Sequence, residues 1–110
     1  MNICITLPKT IKWNEYQKEL DKVKDFKEFM FFKVPFLPIR TKQGDKCYLC
    51  YNNKIIGYQQ IVGLIDSKKF QCSTTGKNWE GKFICRSGPF FPLEKPIDCK
   101  GFRGFKYVNI

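Results

Sequence analysis

The sequence predicts a single α+β domain, in which one N-terminal helix packs against five or six strands that form a small, partly open β-barrel. An antiparallel hairpin carries this prediction. Two β-rich runs, at residues 46–51 and 55–65, flank Asn52-Asn53, a pair that suits the positive φ angles of a tight turn. One helical pattern precedes the hairpin, and strand-like runs follow it. The 110 residues are enough for one domain with its own core.

The first two elements are an apolar strand and an amphipathic helix. Residues 2–7 predict the strand, which Pro8 ends. A helix is predicted at about residues 13–29, because large apolar residues recur at steps of three or four, at Trp13, Tyr16, Leu20, Val23, Phe26 and Met30. Asn14 and Gln17 resemble a capping box, which would start the helix a residue or two late.

The hairpin is expected at the centre of the sheet, because both of its faces are apolar. Cys47 and Leu49 alternate with Tyr48 and Cys50, so neither face suits free solvation. The remaining strands are predicted at residues 29–34, 82–87 and 101–108.

Three connecting segments are predicted from composition. Residues 35–38 and 88–92 each contain two prolines, which favours connectors over inner strands because proline cannot donate to a ladder. Residues 67–80 are polar and contain glycine, which predicts an irregular loop.

Net charge is the strongest bulk feature of the chain. It has 20 Lys and Arg against 10 Asp and Glu and no His, a net charge of +10. Residues 40–110 hold most of the excess. A positive field of this size favours polyanions such as nucleic acid or an anionic membrane surface. A second interpretation stays open, since an AT-rich genome encodes lysine often and would give an excess without functional meaning.

The expected location is intracellular and cytoplasmic, and an origin in a phage or mobile element stays open. No apolar run reaches the roughly 18 residues of a membrane span, and the first residues lack the pattern of a secretion signal. In a reducing compartment the six cysteines are expected to be free thiols. Cys47 and Cys50 form a CxxC, but on one strand they would face opposite ways, which disfavours zinc. Neither a metal nor a cofactor is expected.

Eight residues are predicted to bind a ligand, because together they offer rings for stacking and cations for phosphates. They are Phe36, Arg40, Thr41, Lys42, Tyr58, Trp79, Arg103 and Phe105. Residues 40–42 precede the Gly44-Asp45 turn, where two cations and a hydroxyl suit a phosphate or a base edge. Ordinary structural roles are the alternatives: a plain basic loop at residues 40–42, and a Trp79 that closes the core.

Four segments follow one another in an order that is found in a known superfamily. They are the strand at residues 2–7, the helix, the run Arg40-Thr-Lys-x-Gly44-Asp45 and the run Asn53-Lys-Ile-Ile-Gly57-Tyr58. In this order the chain resembles the PUA-like superfamily, in particular its EVE and ASCH branches. There a comparable Gly-Asp turn precedes a strand–turn–strand whose second strand carries an Ile-x-Gly step. The resemblance covers most of the chain with short motifs.

The resemblance implies recognition of nucleic acid, or of a modified base, in a pocket between the helix side and the barrel mouth. EVE domains look like base-pocket readers, and some ASCH domains are small amidohydrolases of a modified nucleoside. The ASCH string G-x-K-x-x-E-x-R matches at Gly44 and Lys46, but Leu49 and Tyr51 stand where that string has Glu and Arg. Without histidine or a P-loop, no other motif supports catalysis.

The sequence therefore predicts a nucleic-acid-binding module, for RNA or DNA, that takes one base, modified or not, into an aromatic and basic pocket. Two alternatives stay open. One is a small ASCH-like amidohydrolase of a modified nucleoside that depends on Lys42. The other is a protein-interaction or inhibitor module, such as a phage-encoded binder of an acidic host protein. No catalytic residue is assigned, no membrane partner is expected, and the oligomeric state is not determined.

Overall fold

The structure, a computed structural model, describes the backbone of residues 1–71 and 78–110 and the side chains of residues 1–66 and 81–110. Its elements are β1 (Asn2–Thr6), α1 (Trp13–Lys22), β2 (Met30–Val34), β3 (Lys46–Tyr51), β4 (Lys54–Gln71), β5 (Asn78–Asp98) and β6 (Phe105–Val108). The strands form one mixed sheet in the order β2-β5-β4-β3-β1-β6. β1 and β3 run parallel, and the other neighbours run antiparallel. The α+β class is confirmed.

β3 and β4 confirm the predicted hairpin and its central position. The turn residues Asn52 and Asn53 have φ angles of 52° and 62°, a left-handed region that asparagine tolerates better than most residues. Both strands have a neighbour on each side. Both faces of β3 are buried as well, since Cys47 packs in one apolar cluster and Cys50 packs in the cluster on the opposite face. The predicted opposite orientation of the CxxC pair is confirmed.

β4 and β5 form a second, longer antiparallel pair, which corrects the prediction of an irregular loop at residues 67–71 and 78–80; residues 72–77 of the predicted loop lie outside the described residues. β4 continues to Gln71 and β5 begins at Asn78, and Phe70 pairs with Trp79. The sequence pattern failed here because backbone hydrogen bonds hold this ladder, and polar side chains do not prevent them.

β5 also continues through Pro89 and Pro92, where the sequence predicted a break. The β4–β5 ladder contains several register shifts, one of them between Tyr58 and Gln60. Such bulges leave residues outside the ladder. In addition, β2 pairs with residues 82–86 of β5, so that both prolines lie beyond this pairing, where fewer ladder hydrogen bonds depend on their missing N–H.

α1 is shorter than the predicted helix because the sheet ends it. The carbonyl of Val23 accepts the backbone N–H of Gly88 at 2.8 Å, a contact from β5. Phe26 then has a φ of 63°, which a right-handed helix does not allow. The predicted capping box is also wrong. The helix begins directly after Lys12, which makes no capping hydrogen bond with its side chain.

The sheet buries apolar side chains on both faces. On the first face α1 covers the larger cluster, which includes Ile3, Ile5, Tyr16, Leu20, Leu49 and Ile84. On the second face a smaller cluster contains Cys4, Tyr48, Cys50 and Ile55, with Cys99 and Phe102 packed against it. Residues on one face therefore cannot share a site with residues on the other, except at the sheet edges.

A buried arginine connects α1 to the sheet. Arg86 of β5 is 3% exposed, and its Nη1 donates to the Tyr16 hydroxyl at 3.2 Å and to Gln59 Oε1 at 3.5 Å. Gln59 in turn donates from Nε2 to the Gly88 carbonyl at 3.1 Å. Among the described residues no carboxylate pairs with Arg86, and its Nε has no hydrogen-bond partner. This buried cation depends on neutral acceptors.

β2 and β6 are the edges of the sheet, and no ladder joins them in the part of the chain that is described. The observed architecture is an open mixed sheet with one short helix, and the sheet is not closed into the predicted barrel within the described residues. Side chains nevertheless bring the two edges together, since the ring of Phe36, just after β2, lies 5.3 Å from that of Phe105 in β6. Within residues 1–71 and 78–110, no helix has the length and apolar character needed to cross a bilayer.

Candidate functional site

A groove of about 540 Å³ lies between the chain that follows β2 and the strands β4, β5 and β6. We call it the aromatic groove. It is lined by Phe36, Leu37, Ile39, Arg40, Asp66, Lys82 and Tyr107. Its size lies within the roughly 300–1,000 Å³ of small-molecule sites, which are also mostly apolar with a few polar groups.

Hydrogen bonds hold the chain at Arg40 in position. Its backbone N–H donates to the Tyr107 hydroxyl at 3.1 Å, and its carbonyl accepts from the Met1 ammonium. That ammonium also donates to Asp45 Oδ2 at 2.8 Å, and the backbone N–H of Lys42 donates to the same oxygen at 3.0 Å. Both bonds favour the carboxylate, so the pKa of Asp45 lies below its usual value, chiefly because of the ammonium. This wall of the groove is therefore well fixed.

Phe36 presents an open aromatic ring at the groove. Its side chain is 61% exposed, although its ring contacts that of Phe105 at an interplanar angle of 66°. The Phe105 ring contacts Tyr107 in turn, with centroids 5.5 Å apart. These edge-to-face contacts hold the Phe36 ring and leave more than half of its surface free. The geometry suits stacking on a flat apolar ligand.

Two cations and one carboxylate accompany the apolar lining. Arg40 is exposed, and Asp66 and Lys82 face each other as partners in the β4–β5 ladder. Guanidinium and ammonium groups bind phosphate oxygens, whereas a carboxylate accepts N–H groups such as those on a base edge. The groove therefore offers a stacking surface, an acceptor and two phosphate-binding groups.

Three of the eight predicted residues meet at this groove. Phe36 and Arg40 line it, and Phe105 supports the Phe36 ring. Thr41 and Lys42 lie beside the groove without lining it. Thr41 is buried and its hydroxyl donates to the carbonyl of the first residue at 2.7 Å, so this hydroxyl secures the turn instead of facing a ligand. Lys42 is exposed to solvent.

The other three predicted residues are not brought to the aromatic groove. Tyr58 lies on the second face of the sheet, where its ring is 5.1 Å from that of Phe91 and 5.3 Å from that of Tyr48. Arg103 lines a separate groove at the other end of β1. The backbone of Trp79 belongs to β5, and its side chain lies outside the described residues.

The eight predicted residues do not include Asp66, Lys82 or Tyr107, which line the groove. Tyr107 could have been found, because strand alternation places it on the same face as Phe105, two residues earlier. The same alternation does not extend back to Arg103, since Gly104 has a φ of 72° and turns the chain before β6 begins. Asp66 and Lys82 had no sequence signal, because their proximity depends on the register of β4 against β5.

The described cysteines, Cys4, Cys47, Cys50, Cys85 and Cys99, are free thiols. Burial raises the pKa of the Cys47 thiol to about 11, although the nearby Arg86 guanidinium acts in the opposite direction. A protonated thiol is a poor ligand and nucleophile. Among the described residues, no three His, Cys, Asp or Glu side chains form a group that could hold a metal ion.

No protein-family model matches the chain, and neither a curated protein nor a solved structure shows significant similarity to it. The resemblance to the PUA-like superfamily therefore stays a prediction. The class of protein is defined by what the chain itself shows, which is an open α+β sheet with a basic surplus and an aromatic groove at its edges.

Proposed function

We propose that the protein binds nucleic acid, RNA or DNA, and holds one base, modified or unmodified, in the aromatic groove. One observation carries this proposal: the open ring of Phe36 stands in the same groove as Arg40 and Lys82. Unstacked bases need flat apolar partners, and the phosphates beside them need cations. Asp66 adds an acceptor for the base edge.

The charge of the chain supports the same ligand class. A net charge of +10 attracts polyanions over a distance and raises their rate of association. Two of the few carboxylates are engaged locally: Asp45 with the Met1 ammonium at 2.8 Å, and Asp98 with Lys54 at 3.1 Å. Each of these pairs cancels a positive charge together with the negative one, so it leaves the net charge of the chain unchanged.

The proposal includes a finer description of the fold as a partly open barrel of the PUA-like type. The contact between Phe36 and Phe105 supports it, since this contact draws the two edge strands of the sheet toward each other. A cytoplasmic location is part of the same proposal, because nucleic acid and reduced thiols are found together there.

Fluorescence anisotropy with labelled single-stranded and double-stranded oligonucleotides tests the proposal. Binding is expected at low ionic strength and is expected to weaken as salt is added. Phe36→Ala should weaken binding by roughly 5- to 150-fold, because stacking of a base on an aromatic ring contributes about 1–3 kcal/mol. Arg40→Gln should weaken binding and reduce its dependence on salt.

Phe29→Ala is the matched control, because Phe29 is 49% exposed and does not line the aromatic groove. Equal losses in Phe36→Ala and Phe29→Ala would contradict the proposal, as would the absence of any salt-dependent binding. Capture of a partner protein that survives nuclease treatment would favour the interaction-module alternative. No observation favours the amidohydrolase, since Lys42 does not line the groove.

A further inference from the structure

A second groove, of about 740 Å³, lies at the end of β1 that is distant from the aromatic groove. We call it the basic groove. Its lining residues are Thr6, Leu7, Pro8, Lys9, Asn53, Lys100, Gly101, Phe102 and Arg103. Three of them are cations and none is acidic. Asp98, the acidic residue nearest to Lys100 in the sequence, is in an ion pair with Lys54 at 3.1 Å.

The three cations converge from separate parts of the chain. Lys9 follows β1, whereas Lys100 and Arg103 belong to the segment between β5 and β6. The Phe102 N–H donates to the Thr6 hydroxyl at 3.2 Å and fixes that segment against the end of β1. Among the described residues none of these three cations is in an ion pair. Three such cations in one concave surface attract a group with several negative charges, and a phosphodiester backbone has this chemistry.

β1 and β6 connect the two grooves. The Met1 ammonium, just before β1, contacts Arg40 of the aromatic groove, whereas Lys9 lies beyond the opposite end of β1. Tyr107 lines the aromatic groove and Arg103 lines the basic groove, and four residues of extended chain span at most about 14 Å. At about 3.4 Å per stacked nucleotide, a strand of roughly four nucleotides is long enough to span this distance.

We propose that the basic groove holds the phosphodiester backbone next to the base that occupies the aromatic groove, and that the ligand is a single strand of about four or more nucleotides. This inference rests on the proposed function, because it needs a base at Phe36. A free nucleoside has no backbone to place in the basic groove. A duplex keeps its bases stacked and paired, so a base is available to Phe36 only after it is unpaired.

The salt dependence of binding gives this inference a magnitude. For single strands, the slope of log affinity against log salt concentration becomes shallower by about 0.7 for each phosphate that the protein no longer neutralises. Removal of three cations that each neutralise one phosphate therefore reduces the slope by about 2. Between about 50 and 200 mM salt, the unaltered protein should lose about 20-fold more affinity than a protein without the three cations.

The test uses labelled random-sequence DNA and RNA single strands of two, four and eight nucleotides. The triple variant Lys9→Gln, Lys100→Gln, Arg103→Gln removes the basic groove's charge. The control is the triple variant Lys18→Gln, Lys22→Gln, Lys24→Gln, which removes the same charge from exposed positions on and just after α1. Circular dichroism checks the fold of both variants.

The unaltered protein should bind four nucleotides more tightly than two. The basic-groove variant should lose this gain and show the shallower salt slope, but it should bind two nucleotides about as well as the unaltered protein. The control variant should bind strands of every length about as well as the unaltered protein. Equal salt slopes in the two variants would overturn the inference and leave the base-binding proposal standing. If two nucleotides bind as tightly as eight, the inference is likewise overturned and the base-binding proposal still stands. If the unaltered protein binds no strand of any length, both proposals are wrong.

Discussion

Gln59 is expected to be essential for the burial of Arg86, and a double-mutant cycle measures this dependence. Gln59→Leu removes the acceptor at 3.5 Å and leaves the buried guanidinium with the Tyr16 hydroxyl as its remaining partner among the described residues. A guanidinium keeps its charge inside a protein, so it cannot relieve this loss by releasing a proton. Gln59→Leu should therefore be costly in the presence of Arg86.

The structure sets the expected magnitude. Removal of a partner from a buried charge costs about 3–5 kcal/mol, and the long contact to Gln59 together with the remaining Tyr16 contact places this case near 3 kcal/mol. In an Arg86→Met background, Gln59→Leu loses the hydrogen bond to the Gly88 carbonyl and little else, which costs about 1 kcal/mol. The coupling free energy between positions 59 and 86 should therefore be about 2 kcal/mol.

Urea denaturation of the four proteins at neutral pH, followed by circular dichroism, gives the free energies of unfolding. The dependence of each free energy on urea concentration should stay constant across the four, which shows that the same surface unfolds. Arg86→Met alone should change stability by no more than about 1 kcal/mol, because the loss of a buried charge offsets the orphaned Gln59 oxygen. A coupling free energy below about 0.5 kcal/mol would refute the reasoning.

Three further predictions concern packing and thiols. Gly57→Ala should destabilise the fold by about 1–3 kcal/mol, because an added Cβ would overlap the Phe90 ring and neighbouring backbone. The control is Gly63→Ala, whose added Cβ would meet nothing within 4 Å and should cost little, and equal costs in thermal denaturation would contradict the prediction. Burial raises the pKa of Cys47 to about 11, so its protonated thiol contributes stability that is present below the ordinary thiol pKa and is lost as pH rises toward 11. Cys47→Ala should therefore flatten the decline of unfolding free energy between about pH 8.5 and 10.5. An unchanged decline would contradict this prediction. Cys99, which is partly exposed, should be alkylated well before the buried Cys47 at pH 8, as peptide mass spectrometry can show, and similar rates at the two thiols would contradict this.

Elements with strong local signals were predictable from the sequence. The β3–β4 hairpin follows from a turn pair that accepts positive φ and from apolar residues on both faces of β3. The start of α1 at Trp13 and its buried face at Tyr16 and Leu20 follow from the helical spacing. Each of these depends on neighbours within a few residues, which is the information that a single sequence contains.

Elements that depend on distant partners were predicted wrongly. α1 ends early because the Gly88 N–H of β5 donates a hydrogen bond to the Val23 carbonyl, and the residues around Val23 give no sequence signal for that contact. β5 runs through Pro89 because a register shift in the β4–β5 ladder leaves it unpaired, and through Pro92, which pairs with Gly57, because β2 does not pair with this part of β5. In both cases a tertiary hydrogen-bond pattern outweighed a local preference.

The sequence by itself determined the α+β class, the central hairpin, the basic surplus and the choice of Phe36, Arg40 and Phe105 as candidate residues, since composition and local spacing contain these properties. Only the tertiary structure decided which of the predicted residues lie in the aromatic groove and which lie elsewhere. The strand register places Asp66 and Lys82 in the same groove as Phe36. Tyr58 lies on the opposite face of the sheet, and Arg103, which precedes the turn at Gly104, lies in the basic groove. The physical reason is that a site is a set of distances between residues far apart in the chain, and those distances exist only after the strands have paired.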